Sequence, residues 1–100
     1  MTPGDVQVTC APDDDGFRCD VVVGTDSGAT RHEVTVSAAD LAGLAPDNTD
    51  PAALVAASFA FLLERESRES ILARFALPVI SRYYPEYATT IRDRLAKRAP

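Results

Sequence analysis

Apolar and polar residues alternate with a period of two through the first third of the chain and follow a helical period after that. In 5–10, Val6, Val8 and Cys10 fall on one side and Gln7 and Thr9 on the other. In 17–23, Phe17, Cys19, Val21 and Val23 share a face, and in 31–36, His32, Val34 and Val36 do. Strict alternation over this length predicts half-buried strands. The segments between them, APDDDG at 11–16 and GTDSGAT at 24–30, are rich in turn formers. The pattern therefore predicts a three-stranded antiparallel meander with one apolar face. A tip centred on Asp13 and Asp14 sets Cys10 opposite Phe17 and Val8 opposite Cys19. A second turn near Ser27 sets Val21 opposite Val34. Cys10 and Cys19 are then diagonal neighbours on the buried face, and both registers keep the apolar residues on one side.

From Ser37 the spacing changes. Ser37 is placed to cap a short helix, with Asp40 as its acidic partner, and Pro46 ends that turn. Asp50-Pro51 pairs an acidic cap with proline at the first helical position. The helix it starts runs to about residue 66, with Val55, Phe59 and Leu62 along one stripe and Leu54, Ser58 and Phe61 beside it. Residues 69–75, ESILARF, resume helical spacing through Ile71, Leu72 and Phe75. Leu77-Pro78 opens another short helix that Pro85 ends. Tyr87, Ile91 and Leu95 mark a final helix at i, i+4, i+8, with Arg92, Arg94, Lys97 and Arg98 in its last turns, where the helix dipole favours cations. The expected fold is one α+β domain over 1–100: a sheet in 5–36, covered on one face by four to five helices in 37–98.

Length and composition narrow the classes open to this pattern. A chain of 100 residues with 46% hydrophobic and 25% charged content fits one globular domain. No stretch approaches the roughly 18 apolar residues of a membrane span. The opening MTPGDVQVTC has neither the basic start nor the apolar core of a secretion signal, so a cytoplasmic protein with reduced thiols is expected. Lys97 is the only lysine among ten basic residues, a bias that GC-rich bacterial genomes produce. The net charge of −5 hides an asymmetry: residues 1–64 hold eleven acids and two bases, whereas 65–100 hold eight bases and four acids. Either the two surfaces are simply solvated, or the halves attract one another within the fold, or the basic half meets an acidic partner or phosphate.

The inventory for catalysis is thin. There is one histidine, no glycine-rich phosphate loop and no nucleophile elbow, so no enzyme, cofactor or metal is expected. Cys10 and Cys19 read first as two buried thiols acting as small hydrophobes. A disulfide requires a longer or bulged turn, and a thiol redox role is an alternative. Their spacing with His32 matches no zinc motif. Asp13, Asp14 and Asp15 read as a solvated hairpin tip, because calcium loops space their oxygens at alternate positions. Residues 69–84 invite a helix-turn-helix reading, with Arg74 and Arg82 placed for phosphates. The block Tyr83-Tyr84-Pro85-Glu86-Tyr87 holds every tyrosine of the chain. Tyrosines stiffened by proline make good contact surface, because they bury a large area at small entropic cost.

HEVTVSAADL at 32–41, ASFAFLLERESRESILARF at 57–75 and VISRYYPEY at 79–87 together resemble a group of small bacterial α+β proteins. That group shares a His-Glu-Val-Thr-Val strand, an E-S-I-L-x-R-F helix and a Y-[YF]-P-E-[YF] corner. The resemblance spans about residues 31–95 and omits the first hairpin. It implies a recurring small α+β module and assigns no activity or functional residue. The expected function is a non-enzymatic binding module acting through a protein partner or self-association. Arg74, Arg82, Tyr83, Tyr84, Tyr87, Arg92 and Arg94 are its candidate contacts. A small DNA-binding regulator is the alternative, and no membrane association is expected.

Overall fold

In the computed structural model, which describes residues 6–24 and 27–98, the chain is an α+β protein with a mixed four-stranded sheet and four α-helices. Strands β1 (Val6–Asp13), β2 (Gly16–Val23) and β3 (Thr30–Ser37) form the antiparallel meander that the alternation predicts. Asp5, where the first strand was expected to begin, lies outside the described residues. Helices α1 (Ala38–Leu44) and α2 (Pro51–Leu63) follow, then a 3₁₀ turn at Arg68–Ser70. A short strand β4 (Arg74–Ala76) comes next, then α3 (Val79–Tyr83) and α4 (Tyr87–Arg98).

The strand faces agree with the expectation, but both registers are displaced by two residues. Asp13 pairs with Gly16, so the tip is Asp14-Asp15 rather than Asp13-Asp14. Moving a turn centre by one residue moves every pair by two, and a shift of two preserves which side faces inward. Asp14 takes a left-handed φ of 47°, a conformation aspartate tolerates. Position 16 of the strand requires glycine, because a Cβ there would collide with the Val36 carbonyl oxygen. At the second turn, Gly24 leaves β2 directly after Val23 with φ 97°, and Val21 faces His32 rather than Val34.

The new register sets Cys10 directly opposite Cys19, with Cα atoms 4.0 Å apart, and the two are joined in a disulfide. The expectation of two reduced thiols is corrected accordingly. No bulge was needed, only the displaced tip. The bridge closes a short loop, with a sequence separation of nine. Chain-entropy reasoning assigns such a loop up to about 2–3 kcal/mol. Mild reduction, or Cys10→Ser with Cys19→Ser, is expected to lower the urea midpoint by no more than that while leaving far-ultraviolet circular dichroism unchanged. Loss of the folded signal on reduction would show that the hairpin depends on the bridge.

The largest departure is at 69–75. In place of a helix the chain makes the 3₁₀ turn and then β4, which runs parallel to β3 with Val34 opposite Phe75. Ile71 and Phe75 are four apart, a spacing that fits period two as well as a helix turn. The tertiary context decides, because the free edge of β3 carries backbone groups that need partners. Ala73 O accepts from Glu33 N at 2.8 Å, and Thr35 O accepts from Leu77 N at 2.9 Å. The helix-turn-helix geometry expected for 69–84 is therefore absent: its first helix is a turn and a strand, and its second, α3, has five residues.

The helix signals are otherwise local and accurate. Ser37 and Asp40 form a reciprocal capping box at α1. Asp50 accepts from Ala52 N at the start of α2, with Pro51 behind it. Leu54, Val55, Phe59, Phe61 and Leu62 of α2 are buried in one core with Cys19, Val21, Val34 and Val36 of the sheet. Tyr87, Ile91 and Leu95 of α4 complete that core. At roughly 1.5–3 kcal/mol per fully buried large side chain, α2 contributes the greatest share of apolar stabilisation.

Candidate binding surface

Pro85 stops α3, and the backbone N–H of Tyr84 closes it on Ile80 O at 2.9 Å. This fixes the tyrosine corner against the end of α2 and the turn that follows it. Between these elements lies a cleft of about 260 Å³. Its walls are Leu62 from α2, Ile71, Leu72 and Phe75 around β4, and Val79 and Ile80 from α3. Tyr83, Tyr84, Ser70 and Glu66 form the rest of the lining. Leu72 is 46% exposed and Tyr83 67% exposed; they are the large hydrophobic side chains that stand out among the described residues. Both lie on this one cleft.

Polar groups around the cleft are arranged in a definite way. Tyr84 donates its hydroxyl to Glu66 Oε2 at 2.8 Å. That hydrogen bond to a carboxylate raises the phenol above its ordinary range. The Tyr84 ring meets Phe61 edge-on, at 5.9 Å between centroids. The Arg65 guanidinium lies 3.6 Å from the Phe61 ring centroid and 5.9 Å from that of Tyr84, and it also reaches Glu64 and Glu86. Glu64 in turn holds Arg94 at 2.8 Å, and the Arg94 hydrogen bond keeps the Glu64 carboxyl below its usual range.

Of the seven expected contact residues, the fold brings Tyr83 and Tyr84 together at the cleft, with Arg82 exposed beside them on α3. The others are elsewhere. Tyr87 is fully buried: its hydroxyl lies 2.6 Å from Ser58 Oγ, which itself donates to Leu54 O at 2.8 Å. It is a core residue, and its candidacy as a partner contact is withdrawn. Arg74 reaches Glu33 at 3.9 Å, across the β3–β4 pair. Arg92 donates to Gly43 O at 2.8 Å, tying α4 to α1. Arg94 is held by Glu64. Lys97 pairs with Asp93, and Arg68 with Glu69. The positive half of the sequence thus spends much of its charge on carboxylates inside the fold. Arg82 has no ion pair among the described residues.

His32 is a core histidine. It is 5% exposed, meets Phe59 with the rings tilted and their centroids 5.3 Å apart, and makes two hydrogen bonds. Nδ1 donates to Leu72 O at 2.7 Å, which leaves Nε2 to accept from the Thr30 hydroxyl at 2.9 Å. No group of three or more metal-binding side chains is assembled among the described residues, and no described helix is long and apolar enough to cross a membrane.

Of the cleft lining, sequence reasoning named only Tyr83 and Tyr84 as contacts; Glu66 and Leu72 are among the residues it missed. Leu72 carried a usable signal: it fits a helical stripe with Ile71 and Phe75, but once 74–76 is a strand with Phe75 inward the two-residue period turns it outward. Glu66 carried none. Comparison with protein-family models, with curated proteins and with solved structures gives no match to this chain. The assignment of function therefore rests on the cleft itself.

Proposed function

We propose that this chain is a non-enzymatic interaction module that receives a segment of a protein partner in the Leu72–Tyr83 cleft. One observation carries the reading: the large hydrophobic side chains left exposed among the described residues, Leu72 and Tyr83, line the same cleft. Exposed apolar surface beside a preformed cleft favours a partner, because docking removes that surface from water without rearranging the fold. The side chains nearest to catalytic chemistry in the core are engaged with other groups of the fold. Both nitrogens of His32 are occupied, the cysteines are bonded to each other, and Ser58 is buried and bonded.

The test is capture from the native host with wild-type protein and with the Leu72→Ser, Tyr83→Ala variant. Each side chain is an exposed anchor whose loss typically costs about 1–2 kcal/mol or more of binding. Recovery of the captured partner should drop at least tenfold, with the melting temperature within about 4 °C of wild type. Equal recovery by both proteins would overturn the reading.

A further inference from the structure

The cleft has a charge preference as well as a shape. Its walls are apolar or neutral except for Glu66, whose half-buried carboxylate sits at the edge. The neighbouring acids each have a base: Glu64 holds Arg65 and Arg94, Glu69 holds Arg68, and Glu86 holds Arg65. Glu66 accepts from the Tyr84 hydroxyl through Oε2 and has no cation partner among the described residues. The Tyr84 ring already has the Arg65 guanidinium 5.9 Å from its centroid, so the seat for an incoming positive charge is the Glu66 carboxylate together with the exposed ring of Tyr83 on the same cleft. The volume, about 260 Å³, lies just below the ~300–1,000 Å³ usual for drug-sized ligands and suits one large side chain.

Resting on the cleft reading above, we infer that the occupant is a short basic-apolar segment of a partner protein. One bulky apolar side chain fills the cleft, and an adjacent lysine or arginine stands against Glu66. Charge selects among apolar segments here: an acidic neighbour to the anchor would face Glu66 as a like charge and lose the tyrosine contact.

The experiment is a titration of the ¹⁵N-labelled full chain with three blocked peptides: Gly-Phe-Lys-Gly, Gly-Phe-Glu-Gly and Gly-Ala-Lys-Gly. The Phe-Lys peptide should shift the amides of Glu66, Leu72 and Tyr83, and bind about fivefold more tightly than the Phe-Glu peptide. The Ala-Lys peptide should leave these amides still. Glu66→Gln keeps an acceptor for Tyr84, so its spectrum away from the cleft should be unchanged while the preference for Phe-Lys disappears. Equal binding of Phe-Lys and Phe-Glu at the cleft would overturn the charge inference and leave the cleft reading standing. Absence of cleft shifts with every peptide would overturn both. Sedimentation of the chain alone supplies the remaining arm: concentration-dependent self-association that Glu66→Gln abolishes would make a second copy the occupant, and overturn the assignment to a partner protein.

Discussion

Tyr87→Ala is expected to remove about 3–5 kcal/mol of stability, whereas Tyr83→Ala, four residues away, changes it by no more than about 0.5 kcal/mol. The contrast follows from where the two rings lie. Tyr87 is 0% exposed, meets Phe61 edge-on at 5.3 Å, and ties α4 to α2 through Ser58. Truncating it leaves a cavity where two helices and the core converge. A small domain has only about 5–15 kcal/mol in total, so the alanine variant approaches the unfolding threshold. Tyr87→Phe separates the ring from its hydroxyl and should cost about 1–2 kcal/mol, since Ser58 keeps its bond to Leu54 O. Urea melts of the three variants check the order. Near-equal losses for Tyr83 and Tyr87 would show that the corner packs as one unit. Alkaline pH gives a second readout. Burial pushes the Tyr87 phenol up to about 12 from an ordinary 10. The folded state therefore holds its proton where the unfolded chain has released it. Stability from this group is full below pH 10 and is lost as the pH climbs from 10 towards 12. That loss, about 2 kcal/mol, should be absent in Tyr87→Phe.

The second large effect belongs to His32. His32→Ala should cost about 2–4 kcal/mol, chiefly through the cavity left against Phe59, with the part-buried Leu72 carbonyl also deprived of its donor. His32→Leu fills most of the space but removes the donor to a part-buried carbonyl, so it should still cost about 0.5–1.5 kcal/mol. Because Leu72 immediately precedes the β3–β4 pairing, the leucine variant should also speed amide exchange at Glu33 and Leu77, whose N–H groups bond across that seam. Thermal melts and exchange rates together decide. A leucine variant as stable and as protected as wild type would mean that the ring's hydrogen bonds contribute nothing net.

Local chemistry was readable from the sequence, and distant partnership was not. The caps Ser37–Asp40 and Asp50-Pro51, the inward faces of the first three strands and the Tyr87–Ile91–Leu95 stripe all depend on residues within one or two turns of each other. The strand registers were misplaced because a turn centre is set by small conformational preferences, here Asp14 in a left-handed conformation and Gly16 against Val36 O. That displacement also hid the disulfide, since Cys10 and Cys19 meet only in the observed register. β4 was missed because its partner is β3, some forty positions away, and three residues carry too little period to outvote a helical spacing. The candidate site shares this fate. Two of its tyrosines were legible as contact surface. The cleft beneath them exists only because 70–75 turns into the sheet rather than continuing as a helix, and Glu66 gains its isolation only from which acids the arginines reach.

The three-residue β4 has a consequence for the chain while it is being made. β1, β2 and β3 are local hairpins and can pair as soon as they are synthesised. Val34 then waits for Phe75. Until α2 and β4 have both emerged, the meander presents a bare apolar face and an open β3 edge, which is the template on which other nascent chains assemble. Closing a loop of this length is the slow, entropically costly part of such a topology. β4 therefore acts as a late seal. It contributes little apolar area of its own, but once in place it pairs with 33–35 in the middle of β3, so no long uninterrupted run of that edge is left for another chain to pair with.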